Sequence, residues 1–243
     1  MAAFLTAKSW LSSLSDSDIE AIVDVVNTDG IYSGPQLLSD DELKHMQAFV
    51  TSTICEAGHE TVSLSREQAR VSGLNDLPDS DEFSDFIRRL YAAGYGAPAS
   101  DFEVHQILRC LTGRTAAVHS WNFHYDSYVI TALIPIEIPS DGMRGDFLLI
   151  PNTRQIRSNY ARNLVDKVLL DNAWTQKMLR KRVPAADRMK RVHLTPGHLY
   201  LFWGYRSIHT NEEVSSDSVR ATALFHYVDP HAHSSLKRRL RGA

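Results

Sequence analysis

The chain has 243 residues, 43% hydrophobic and 23% charged, enough for one sizeable core. A formal net charge of −3 gives nucleic acid or an anionic membrane no field to bind, and no apolar run approaches the ~20 residues of a membrane span. Cys55 and Cys110, with no CxxC or framework spacing, exclude a zinc finger and a disulfide scaffold.

The opening MAAFLTAKSWLSSLSDSD lacks a basic n-region and a long apolar h-region, so a cytoplasmic protein without a signal peptide is expected. No integral membrane segment is expected either, beyond weak peripheral association. The first hundred residues then read as helical. Ser15 or Asp16 can cap DSDIEAIVDVV, with Ile19, Ile22, Val23 and Val26 on one face. Ser39 and Glu42 form a capping-box pattern before a second helix. Asp79 and Glu82 repeat it before FSDFIRRLYAAG, which Gly94 is expected to stop.

From about residue 102 the period shortens. FEVHQILRCL, YVITALIPIEI, GDFLLIPN, RVHL, HLYLFWG and VRATALFHYV are short β-rich runs separated by turn residues. Without βα alternation, they predict an antiparallel sandwich or jelly roll. One insertion, residues 153–190, reads as helix, with Leu164, Val168 and Leu169 on one side and basic residues on the other. The C-terminal residues 231–243, with His231, His233 and SLKRRLRGA, read as a solvated basic tail. His193 and His198 flank a turn and are expected at the surface.

The stretch WNFHYDSYVITALIPIEIP, 121–139, has the pattern of a buried strand that opens on His124 and Asp126. Residues two apart on a strand share a face, so imidazole and carboxylate would stand side by side. Such a pair can be a structural ion pair, half of a catalytic dyad, or two metal ligands. Far downstream come His209 and, eleven residues later on another β-rich run, Arg220 with Thr222 on the same face. Two imidazoles and a carboxylate on one face of a metal form the set used by non-haem Fe(II) oxygenases. An arginine beside it suits the far carboxylate of a chelating 2-oxoacid, being planar, permanently charged and two-pronged. There is no GxSxG elbow for a serine hydrolase and no glycine loop for phosphate.

This order, H-x-D…H…R-x-T on His124, Asp126, His209, Arg220 and Thr222 with the Pro196-Gly197 turn between, resembles the Fe(II)/2-oxoglutarate-dependent dioxygenases over about residues 102–230. The resemblance implies an α+β, mainly β fold: a double-stranded β-helix (jelly roll, cupin-like) with flanking N-terminal helices over 1–100 and the 153–190 insertion. It implies one dioxygenase domain over 1–243, with a core over 101–230. It also implies Fe(II) on His124, Asp126 and His209, with 2-oxoglutarate as co-substrate held by Arg220 and Thr222, and O2. Thr131, Asn122 and Arg109 are candidates for a further polar contact to 2-oxoglutarate. Asp126 at the carboxylate position argues against the halogenating branch of these enzymes.

The expected reaction is hydroxylation of a small molecule with release of succinate and CO2. Arg109, Arg154, Arg157 and Trp203 are candidate substrate contacts, and no nucleic-acid partner is expected. The basic residues of the insertion (Arg154, Arg157, Arg162, Arg180, Lys181 and Arg182) suggest a rim for an anionic substrate. With the PNTR segment they resemble the bacterial hydroxylases that modify the Kdo sugar. The alternative, from another class, is a non-catalytic cupin-like protein that binds a metal or ligand without turnover.

Overall fold

The computed structural model describes residues 4–98, 102–183 and 188–241. The Arg182 side chain, stretch 184–187 of the insertion and the last two residues of the basic tail lie outside the described residues. The N-terminal third supplies helices α1 (Leu5–Ser13), α2 (Asp16–Thr28), α3 (Asp40–Glu56) and α4 (Asp81–Tyr95). Reciprocal capping boxes, Ser15 with Asp18 and Ser39 with Glu42, satisfy the first free amides of α2 and α3. Ile19, Ile22, Val23 and Val26 are all buried on α2.

Helix α4 departs from expectation at both ends. Its cap is Ser80, whose hydroxyl accepts from the Phe83 amide, because the Asp79 carboxylate is taken by Arg66. It also runs through Gly94 and stops at Gly96, which adopts the left-handed conformation at φ +68°.

The helical reading of the first hundred residues also omits two strands. Strand β1 (Ile31–Gln36) and strand β2 (Val62–Ser65) form the two edges of a six-stranded antiparallel sheet. Between them stand β3 (His105–Leu111), β4 (Ile130–Glu137), β7 (His198–Phe202) and β9 (Arg220–Tyr227), in the order β1-β7-β4-β9-β3-β2. A second sheet has the order β6-β5-β8, from β5 (Phe147–Ile150), β6 (Lys190–Val192) and β8 (Ile208–Asn211). His209 thus lies on a strand of its own.

Period-2 alternation divides the large sheet between two cores. Ala132, Ile134, Ala221, Ala223 and Phe225 pack against the helices. On the other face, Leu133, Tyr200 and Phe202 meet Phe147 and Leu149 of the small sheet. Thr131, Arg220, Thr222 and His226 point with this second group, into the gap between the sheets. The apolar face thus holds the large sheet in place while its polar face stays available for chemistry.

The insertion forms α5 (Tyr160–Asp171) and α6 (Ala173–Arg182). Helix α5 buries Asn163 and Leu170, while Val168 and Leu169 of its apolar side are 62% and 64% exposed. The tail is not solvated throughout. His231 is buried with Nε2 2.9 Å from the Tyr205 hydroxyl, and α7 (Ser235–Arg241) buries Lys237 against Asp229; His233 is exposed as expected. Among the described residues no helix is long and apolar enough to cross a membrane.

Candidate metal centre

His124 and Asp126 do not open strand β4; they precede it in an irregular segment pinned at two points. The His124 amide and carbonyl exchange hydrogen bonds with those of His209, both at 3.0 Å. The Asp126 amide donates to the Gly204 carbonyl at 3.0 Å. These bonds bring into register His124 and His209, 85 positions apart in the chain. The consequence is a cluster: one ligand atom each from His124, Asp126 and His209, all within 4.8 Å of one another. Asp126 Oδ1 lies 3.4 Å from His209 Nε2 and 3.8 Å from His124 Nε2.

Each imidazole is oriented from behind. His124 Nδ1 is 2.8 Å from the Asn122 carbonyl, and His209 Nδ1 is 3.1 Å from the Ser207 carbonyl. A carbonyl only accepts, so Nδ1 carries the proton and Nε2 turns its lone pair toward the cluster, as metal-ligating histidines require. Burial, then the neighbouring His209, presses His124 down to about 4 against the opposing pull of Asp126, so the ring is neutral near pH 7. Burial acts to raise the Asp126 carboxyl, but the imidazoles of His209, His226 and His124 outweigh it and keep it ionised, well below the usual carboxylate range.

Asp126 is also held by a relay. Thr131 donates to Asp126 Oδ2 at 2.5 Å, and the same hydroxyl lies 3.0 Å from His226 Nδ1, from which it accepts. Thr131 is therefore committed to the carboxylate and has no hydroxyl proton left for a co-substrate. Gly204 completes the fit: a Cβ there would lie 2.2 Å from Asp126 Oδ2 and 2.4 Å from Thr131 Oγ1. Sequence reading passed over this glycine, whose only visible trace is its place directly after the HLYLFW strand.

Behind the cluster lies an inner cavity of about 60 Å3, lined among others by Arg220, Thr222 and Arg109. Arg220 is 3% exposed, and no hydrogen bond or salt bridge ties its guanidinium to another described residue; its Nε is buried without a partner. Nearby Glu212 pairs instead with Arg191. Burial, and then Arg109, lower Arg220 to about 10, which leaves it charged at neutral pH. Thr222 is buried directly opposite Arg109 across the β3–β9 pair. A second cavity of about 510 Å3 opens outward, with His124, Tyr125 and Arg109 toward the cluster and Val118, Leu164 and Val168 in its wall.

Four proposed contacts lie elsewhere or act otherwise. Asn122 is exposed at the outer cavity and reaches the cluster only through its carbonyl. Arg154 is buried between the rings of Tyr125 and Tyr205 and donates to Asp166, Asn163 and the Tyr205 carbonyl. Arg157 pairs with the same Asp166 at 2.6 Å. Trp203 lies 1% exposed in the helix-side core, its indole N–H donating to Asn27. The two arginines thus fasten the insertion to the barrel and present no rim to an anionic substrate. Arg180 donates to the Trp121 carbonyl.

No family model matches the sequence, and no curated protein matches it. Solved structures do match in shape. A prolyl hydroxylase from Trichoplax adhaerens, in complex with a hypoxia inducible factor peptide fragment, aligns over 97% of each chain at TM-score 0.59 and 12% identity. The non-heme alpha ketoglutarate dependent carbocyclase SnoK of nogalamycin biosynthesis aligns over 94% of this chain and 92% of its own, at TM-score 0.57 and 14% identity. The epimerase SnoN of the same biosynthesis covers 88% and 84%, at TM-score 0.54 and 14% identity. The chain has the fold of the Fe(II)/2-oxoglutarate-dependent oxygenases, whose core is a double-stranded β-helix.

Proposed function

We propose that this chain is an Fe(II)- and 2-oxoglutarate-dependent oxygenase that hydroxylates a small molecule. One juxtaposition carries the reading: a two-histidine, one-carboxylate cluster beside a buried, unpartnered guanidinium in the same gap between sheets. The donor set fits a divalent d-block ion, with two imidazoles, one ionised carboxylate and one side left open. Arg220 fits the far carboxylate of a dicarboxylate, since an arginine without an anion is costly to bury. The solved structures named as alpha ketoglutarate dependent support that choice of co-substrate.

In this reading His124, Asp126 and His209 would hold Fe(II), which would supply the O2-dependent oxidising power, with 2-oxoglutarate as the co-substrate converted to succinate and CO2. The chain's own share is positioning. The Asn122 and Ser207 carbonyls aim the imidazoles, and the His226–Thr131 relay fixes the carboxylate. Arg220, with Thr222 beside it, anchors the far end of the co-substrate. Leu133, Phe147, Phe202 and Leu224 form the apolar part of the inner cavity's wall beside these polar groups.

The test is anaerobic titration of Fe(II) and 2-oxoglutarate, followed by succinate release over a metabolite panel under heavy-isotope O2. A weak visible charge-transfer band and one oxygen atom gained by product are expected. Arg220→Ala should raise the apparent KM for 2-oxoglutarate by ~10–100-fold. A colourless complex refutes the metal site, and an unchanged KM refutes the role of Arg220. Succinate release that never occurs, with the band present, favours the binding protein.

A further inference from the structure

One half-buried cation has no task in this reading. Arg109, on β3, lines both the inner cavity and the outer one, and its Nε is buried without a partner. No hydrogen bond or salt bridge joins its guanidinium to another described residue. Burial lowers its pKa, with only the nearby Asp126 charge opposing, as for a cation that lacks a close anion. The two carboxylates of 2-oxoglutarate are already matched, one by the metal and one by Arg220. A second guanidinium at the wall between the cavities implies another negative charge, arriving from the outer side.

The outer cavity also carries an apolar surface that the fold leaves bare. Val118 is 76% exposed and Val168 62%, and both belong to its lining with half-buried Leu164. The apolar stripe of α5 thus turns toward the cavity mouth and solvent. Resting on the oxygenase reading, we infer that the substrate is a carboxylate with an apolar body. Arg109 takes its carboxylate, the Val118–Leu164–Val168 wall takes its body, and the oxidised C–H bond lies within a few bonds of the acid. A single planar fork matches one carboxylate. Asp171 on the same lining opposes a second negative charge, while Lys167 is engaged with Ser127 at 2.8 Å. A volume of about 510 Å3 lies within the usual range for small-molecule sites.

The experiment needs neither iron nor turnover, so it can fail while the oxygenase reading stands. Metal-free full-length protein is titrated calorimetrically with octanoate and phenylacetate, and with octanamide and phenylacetamide. The acids should bind ~10–100-fold more tightly than their amides. Arg109→Gln should abolish that preference, and Arg220→Gln should leave it in place. Val168→Asp, on an exposed position that does not threaten folding, should weaken acids and amides alike through the lost apolar contact, and the acids more through the added negative charge. Equal binding of acid and amide, a preference that survives Arg109→Gln, a preference lost only in Arg220→Gln, or no saturable binding by any of the four overturns the inference.

Discussion

Replacing Gly204 by alanine probes the centre through a single methyl group. The new Cβ would stand 2.2 Å from Asp126 Oδ2, 2.4 Å from Thr131 Oγ1 and 3.0 Å from Asp126 Cβ. Ordinary contact lies at about 3.5 Å, so the carboxylate must retreat by roughly an ångström. It cannot do so while keeping the Thr131 hydrogen bond and its aim at His124 and His209 together. Overpacking of this kind costs ~1–3 kcal/mol of stability. In a chain of this length that lowers Tm by ~2–12 °C. Divalent metal affinity, read by calorimetry with Mn(II) or Co(II), should fall more than the ~10–100-fold typical of losing a supporting contact, because a ligand itself moves. Gly94→Ala is the control. Its Cβ meets the Trp203 ring at 2.9 Å on the helix side of the sheet, so it should lower Tm and leave metal affinity unchanged. Wild-type metal affinity in Gly204→Ala, or an equal loss in Gly94→Ala, refutes the placement of Asp126.

Thr131→Val keeps the shape and removes the relay, so Asp126 Oδ2 loses its hydroxyl donor and His226 its acceptor; metal affinity should drop ~10–100-fold in calorimetry, with only ~1–3 kcal/mol lost from stability. Asp166→Ala removes the carboxylate that Arg154 and Arg157 share; urea melts should show a loss of ~3 kcal/mol, since Arg154 is left as a buried, uncompensated charge. His124 and His226 are both lowered to about 4 by burial. The unfolded chain therefore takes up protons from about pH 6.5 downward while the folded one resists until about pH 4, and stability falls as pH falls through that window. Unfolding free energies of metal-free protein from urea melts at about pH 7 and about pH 5 should differ by roughly 2 kcal/mol, carried mainly by the buried His226 because His124 is partly exposed, and equal values count against a neutral, buried His226 ring.

Legibility in the sequence followed the reach of each interaction. His124, Asp126, His209 and Arg220 stood out because charged and ligating side chains are unusual on runs otherwise fit for burial, and their order restricted the chemistry. Strands β1 and β2 escaped because both are sheet edges: IYSGPQ contains the glycine and proline that an edge tolerates, and VSLS is only four residues long. Arg154 and Arg157 read as a basic rim because the partner that neutralises both, Asp166, lies twelve and nine residues on respectively, among other helix residues. His231 looked solvated for the same reason, since the Tyr205 hydroxyl that holds it lies 26 positions upstream. The tilt of α5 about its own axis was beyond sequence. Its apolar residues mark a stripe, and which wall that stripe faces is decided by Asn163 and Leu170 at the barrel.

The clasp at Asp166 separates two duties along one short helix. The inner side of α5 is bolted to the barrel through Arg154, Arg157 and Asn163, while Val165, Val168 and Leu169 are more than half exposed. Exchanges at those outer positions leave every fastening intact and cost little stability, yet two of the neighbouring side chains, Leu164 and Val168, shape the outer cavity. If the outer cavity takes the substrate as proposed, selectivity can be retuned from a surface that folding does not depend on, without disturbing the groups proposed to hold the metal.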